Sequence, residues 1–137
     1  MDTNPQTQTK KPKVLCIEDE HFISELYSRA LTRAGYEVKM VIDGAEGLRE
    51  AETDQYDIIL LDIMIPTITG LDILEKLRGP DAKNSVRAKI IVATNLEQGE
   101  AGRAAVERTA DGYIIKADMT PRELVTFFEQ FNLESNA

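Results

Sequence analysis

Hydrophobic residues recur along this chain with two alternating periods. Short runs rich in aliphatic and β-branched residues stand at "KVLCIE", "YEVKMVID", "YDIILLD", "AKIIVAT" and "DGYIIKA". Runs of roughly four to eight such residues read as strands. Between them the spacing turns helical. Phe22, Ile23, Leu26, Tyr27, Ala30 and Leu31 share one helical face, and Gly35 supplies a stop. Leu71, Leu74 and Leu77 repeat the pattern before "GP" ends it, and Leu124, Val125, Phe128 and Phe131 form a last stripe.

Three helix starts carry capping chemistry. Asp43 with Glu46, Thr69 with Asp72, and Thr120 with Pro121 and Glu123 each offer a side-chain oxygen to an orphan backbone N–H. Each cap is worth about 1 kcal/mol. The pattern is β-α five times over, without a repeat signature or a second composition zone. It predicts a three-layer α/β/α sandwich around a parallel sheet.

The strands' own chemistry orders that sheet. The first, third and fourth runs are continuously apolar, as strands buried on both faces must be. The second alternates, with Val38, Met40 and Ile42 against Glu37, Lys39 and Asp43, and Val41 breaking the alternation, which predicts an edge strand. A five-stranded order 2-1-3-4-5 satisfies this. In such sheets ligands bind beyond the carboxyl ends of the strands, near the switch between strands one and three.

Composition bounds the remaining classes. With 137 residues, 42% of them hydrophobic and 29% charged, the chain fits one globular domain. Residues 1–12, "MDTNPQTQTKKP", read as a flexible polar tail, 13–133 as the domain, and 134–137 as a disordered end. No apolar window approaches a membrane span and no signal-peptide pattern opens the chain, so a cytoplasmic location is expected. The net charge of −8, from 24 acids and 16 bases, disfavours nucleic-acid binding. Cys16 lies in an apolar run as a small buried thiol, and His21 has no metal-ligand spacing around it.

Candidate chemistry collects at the strand ends. "YDIILLD" ends its apolar run on Asp62, where an ionised carboxylate is costly unless it emerges at a rim or is paired. Strand one ends in Glu18, Asp19 and Glu20, strand four at Thr94, and strand five at Lys116. Two unit charges about 4 Å apart interact by roughly 4 kcal/mol at an effective dielectric near 20. Acids gathered on one rim with Lys116 alone in compensation would therefore favour a hard dication. Mg²⁺ takes oxygen ligands, including one or two carboxylates, and keeps waters that leave room for phosphate. Neither a Walker sequence nor G-x-G-x-x-G occurs.

The segments "VLCIEDE", "DIILLDIMIPTITGLDIL", "IIVATN" and "DGYIIK", with their spacing, make residues 13–133 resemble the receiver domain of bacterial two-component response regulators. The resemblance implies a flavodoxin-like fold and a signalling switch in place of an enzyme. It implies that Asp62 is the phosphoacceptor and that Asp19 ligates Mg²⁺ directly. Glu18 would reach the ion through water, and the Met64 backbone carbonyl would complete the protein ligands. Thr94 and Lys116 would contact the phosphoryl group, and Thr94 with Tyr113 would form the switch. The implied partners are a sensor histidine kinase or phosphotransfer protein, and a downstream protein target or fused output domain, with homodimerisation on phosphorylation a further expectation.

Some positions depart from the family pattern. Ala117 follows Lys116 where many receivers have a cis-proline; cis and trans stay open here, the non-proline cis form costing about 3–4 kcal/mol. Glu18–Asp19, whose longer Glu side chain would shift the water-mediated contact, replaces the commoner Asp-Asp, and Met64 offers no polar group to orient water, so self-dephosphorylation is expected not to be especially fast. Gly99 and Gly102 weaken the helix after strand four, each by up to about 1 kcal/mol, making it a candidate output surface. Two alternatives are a phosphorylation-independent interaction module and a phosphohydrolase, which would need a second Asp where Met64 stands.

Overall fold

A computed structural model describes residues 11–63, 65, 67–80, 82, 86–94 and 100–131. The expected tail over residues 1–10, the end over residues 134–137, Met64 and Gly99 lie outside the described residues. In chain order the elements are β1 (Lys13–Ile17), α1 (His21–Arg33), β2 (Glu37–Val41), α2 (Gly44–Glu52), β3 (Ile58–Asp62) and α3 (Gly70–Arg78). They continue through β4 (Lys89–Thr94), α4 (Glu100–Thr109), β5 (Gly112–Ile115), a 3₁₀ turn (Lys116–Asp118) and α5 (Pro121–Glu129). The five strands are parallel in the order β2-β1-β3-β4-β5. The order expected from the sequence is the order found.

Strand alternation splits the core into two layers. Leu15, Ile17, Ile59, Leu61, Ile90 and Val92 face α2, α3 and α4, where Ala51, Ile73, Leu77 and Val106 meet them. Val14, Cys16, Ile58, Leu60, Ile91 and Ala93 face Tyr27 and Leu31 of α1 and Leu124 and Phe128 of α5. Each fully buried aliphatic side chain stabilises the fold by about 1.5–3 kcal/mol. Tyr36 closes the second layer edge-on to Phe128, ring centroids 5.7 Å apart.

The three predicted caps form. Asp43 accepts from the Glu46 amide at 3.0 Å and Thr69 from the Asp72 amide at 3.2 Å, while Thr120 and Glu123 make a reciprocal capping box. Gly35 takes a positive φ of 106° at the end of α1, the left-handed stop its position implied.

Helix faces were less faithfully encoded. On α1 the buried residues are Ser24, Tyr27 and Leu31, while Phe22 and Leu26 face solvent. On α3, Ile73, Leu74 and Leu77 turn inward and Leu71 outward. On β2, Val41 is the buried residue, whereas Met40 is exposed, as is Ile42 just beyond the strand. Val41 pairs with Ile17, placing it over the α2–α4 layer, and that position decides its burial.

At the amino ends of the strands, ion pairs and capping bonds fasten the layers. The Arg78 guanidinium donates to Ala88 O at 2.6 Å, Thr109 O at 3.3 Å and Asp111 Oδ2 at 3.1 Å. Asp111 Oδ2 also accepts from the Ile90 amide at 2.8 Å. One arginine thus ties the end of α3 to the start of β4 and the end of α4.

Candidate phosphoacceptor site

The alternation that builds the second core layer also aims the charged residues at the rim. Counting by twos, Val14 and Cys16 lead to Glu18, Ile58 and Leu60 to Asp62, and Ile114 to Lys116. Cys16 pairs with Leu60, and Asp62 with Ala93, so the continuing positions converge beyond the sheet's carboxyl edge. Glu18, Asp62 and Lys116 are all buried.

Lys116 joins the three segments. Its Nζ donates to Glu18 Oε1 at 2.6 Å, Asp62 Oδ2 at 3.1 Å and Glu20 Oε1 at 3.3 Å. Glu18 Oε2 accepts from the Glu20 amide at 3.1 Å, fixing the turn that follows β1. The Glu18 amide itself donates to Val41 O at 3.0 Å, tying that turn to β2.

The electrostatics follow from burial. Burial pushes the Glu18 carboxyl up to about 7 from an ordinary 4.5; the bond from Lys116 opposes the rise and the nearby charge of Asp62 adds to it. Burial alone would lower the Lys116 pKa, but its bond to Glu18 and its attraction to Glu18 and Asp62 outweigh that and raise it. Lys116 therefore stays an ammonium between carboxylates. Cys16, directly beneath, is pushed up to about 12 by burial first and the Glu18 charge second, which leaves the thiol inert.

Carboxylate oxygens of Glu18, Glu20 and Asp62 lie within 4.8 Å of one another. A cluster supplying only hard oxygen donors suits Mg²⁺ over a thiophilic metal. Thr94 ends β4 fully buried, on the face opposite the acids. Tyr113 pairs with Val92 and packs, partly buried, into the same layer as Val92. Thr94 and Tyr113 thus share one sheet face.

A profile of the response regulator receiver domain matches residues 14–129. The chain belongs to that family. Curated relatives of this receiver include the alkaline phosphatase synthesis transcriptional regulatory protein PhoP of Bacillus subtilis. It is 33% identical over 112 residues, covering 82% of this chain and 45% of PhoP. The transcriptional regulatory protein CusR of Escherichia coli is 36% identical over 104 residues, 76% of this chain and 44% of CusR. The chain therefore spans under half the length of these relatives. Among solved structures, a CheY-like receiver domain from Methanospirillum hungatei superposes with a TM-score of 0.77 at 26% identity, covering 93% of this chain and 99% of that one.

Of the residues the sequence singled out, the receiver brings Glu18, Asp62 and Lys116 into direct contact and sets Thr94 at the adjacent strand tip. Asp19 is exposed and is not among the three acids, Glu18, Glu20 and Asp62, whose oxygens cluster. Glu20, the third acid of "EDE", joins the cluster through its contact with Lys116. No cis peptide bond occurs among the described residues, so the Lys116–Ala117 bond, inside the 3₁₀ turn, is trans.

Proposed function

We propose that Asp62 accepts a phosphoryl group and that the resulting aspartyl phosphate switches a protein-interaction surface. The supporting observation is the buried Asp62 carboxylate at the tip of β3, with the Lys116 ammonium 3.1 Å away. A phosphoacceptor role is general to the receiver family, and receivers in general bind Mg²⁺. An ionised carboxylate is a competent nucleophile toward phosphorus and needs no general base. Asp62 attacks the phosphorus of a phosphohistidine on a sensor kinase or phosphotransfer protein. The P–N bond breaks, its electron pair returns to the imidazole, and that nitrogen takes up a proton from solvent.

Phosphoryl transfer calls mainly for in-line positioning and charge neutralisation. Mg²⁺ would supply positive charge to the phosphoryl oxygens, held by Asp62, Glu18 and the acids of the turn after β1. The Asp19 carboxylate, exposed on that turn, would join as a direct ligand by turning inward, and Met64 is the candidate carbonyl donor. Lys116 then turns from the acids toward the phosphoryl group, and the Thr94 hydroxyl donates to it. Drawing Thr94 toward Asp62 frees space for Tyr113 on its own sheet face, and α4, carrying Gly102, serves as the responding surface. The downstream protein or output domain would read that change. No helix among the described residues is long and apolar enough to cross a membrane.

Incubation with Mg²⁺ and a small acyl-phosphate donor, followed by intact mass, tests this. Wild type should gain one phosphate's mass, and Asp62→Ala none. A wild-type chain that stays unmodified would favour the phosphorylation-independent module.

A further inference from the structure

Between β3 and α3 one residue that is not glycine takes a left-handed backbone conformation. Thr67 has φ of 76°, in the left-handed region where a β-branched side chain is an outlier. Glycine or asparagine would adopt this conformation at lower cost. What the conformation secures is a contact. The Thr67 hydroxyl donates to Asp43 Oδ1, while Asp43 Oδ2 accepts from the Glu46 amide at 3.0 Å as the cap of α2. One carboxylate therefore fastens the segment after the phosphoacceptor strand to the start of a different helix.

The far end of the segment bears directly on Asp62. The Gly70 amide donates to Ile63 O at 2.9 Å. A Cβ on Gly70 would lie 2.2 Å from Asp62 O and 2.6 Å from the Ile63 Cα, so α3 starts in backbone contact with the end of β3. A shift of the segment therefore presses on the peptide that carries the nucleophile. Thr67 is solvent-exposed, and a single exposed bond contributes little to global stability. Strain maintained for so small a return is the kind that accompanies a site's geometry.

We infer that Thr67 and Asp43 are positioning residues for the chemistry at Asp62, their bond holding the β3–α3 segment and, through Gly70, the Asp62 backbone in the reactive arrangement. The inference rests on the reading of Asp62 as phosphoacceptor. Neither side chain touches the reacting atoms.

The test measures the rate of phosphate uptake from an acyl phosphate with Mg²⁺, alongside urea unfolding of the same proteins. Thr67→Gly removes both the strain and the hydroxyl; it should be at least as stable as wild type yet take up phosphate about tenfold more slowly. Thr67→Val keeps the shape without the hydroxyl and should be similarly slow. Thr67→Ser keeps the hydroxyl and should fall within about twofold of wild type. A purely structural role would move rate and stability together, so a Thr67→Gly protein as fast as wild type overturns the inference. If wild type itself gains no phosphate, the phosphoacceptor reading fails and this inference falls with it.

Discussion

The Lys116 ammonium lies 2.6 Å from Glu18 Oε1, with both side chains all but excluded from solvent. Removing the ammonium leaves the buried Glu18 and Asp62 carboxyls without their shared positive partner. Lys116→Met should therefore destabilise the protein by about 3 kcal/mol in urea unfolding. Saturating Mg²⁺ should restore part of that loss, because it supplies the missing positive charge.

Glu18 sets a pH dependence whose sign can be stated. Its folded pKa is raised from 4.5 to about 7, so the folded protein holds a proton that the unfolded chain releases. Its contribution to stability is complete below about 4.5 and is lost as pH rises through about 7. Glu18→Gln, neutral at every pH, should match wild type near about pH 4 and exceed it near about pH 8 in metal-free buffer. Urea midpoints at the two pH values check this.

Asp19 and Glu20 separate two ways of holding the cation. If Asp19 rotates inward as a direct ligand, Asp19→Asn should weaken Mg²⁺ binding by about tenfold or more. Glu20→Gln should change it by no more than about threefold, since Glu20 then contributes only long-range charge. Calorimetric titration measures both, and the reverse ranking would place Glu20 in the coordination shell.

Gly70 leaves no room for a side chain against Asp62 O and the Ile63 Cα. Because both obstacles are backbone, relief requires moving β3 or α3. Gly70→Ala should cost about 2 kcal/mol or more in stability and slow phosphate uptake beyond what that loss explains. Denaturation and uptake rate measured on the same sample would show it.

The sheet order and the caps were legible because each depends on local chemistry: an alternating edge strand, continuously apolar inner strands, and an oxygen placed before each helix. Helix faces were less so. Phe22 and Leu26 fit the apolar spacing of α1 as well as Tyr27 and Leu31 do, and only packing against β1, β2 and α5 chose the face that buries Ser24. Ile73 displaced Leu71 for the same reason. The strand-tip chemistry was readable as a set, whereas which acids of "EDE" meet Lys116 depended on a turn that the spacing does not specify. Thr67 carried no sequence signal at all, since its conformation is visible only in the backbone.

The fastening made by Arg78 has a mechanical result. It pins the trailing end of α4 to the floor of the sheet, on the side remote from Asp62 and Thr94. If α4 is the responding surface proposed above, a helix moored at its tail and pulled at its head would swing about the mooring, its displacement largest at the first turn and smallest at Thr109. A binding partner seated over the first turn of α4 would feel the full stroke, and one seated over the last turn would feel the least.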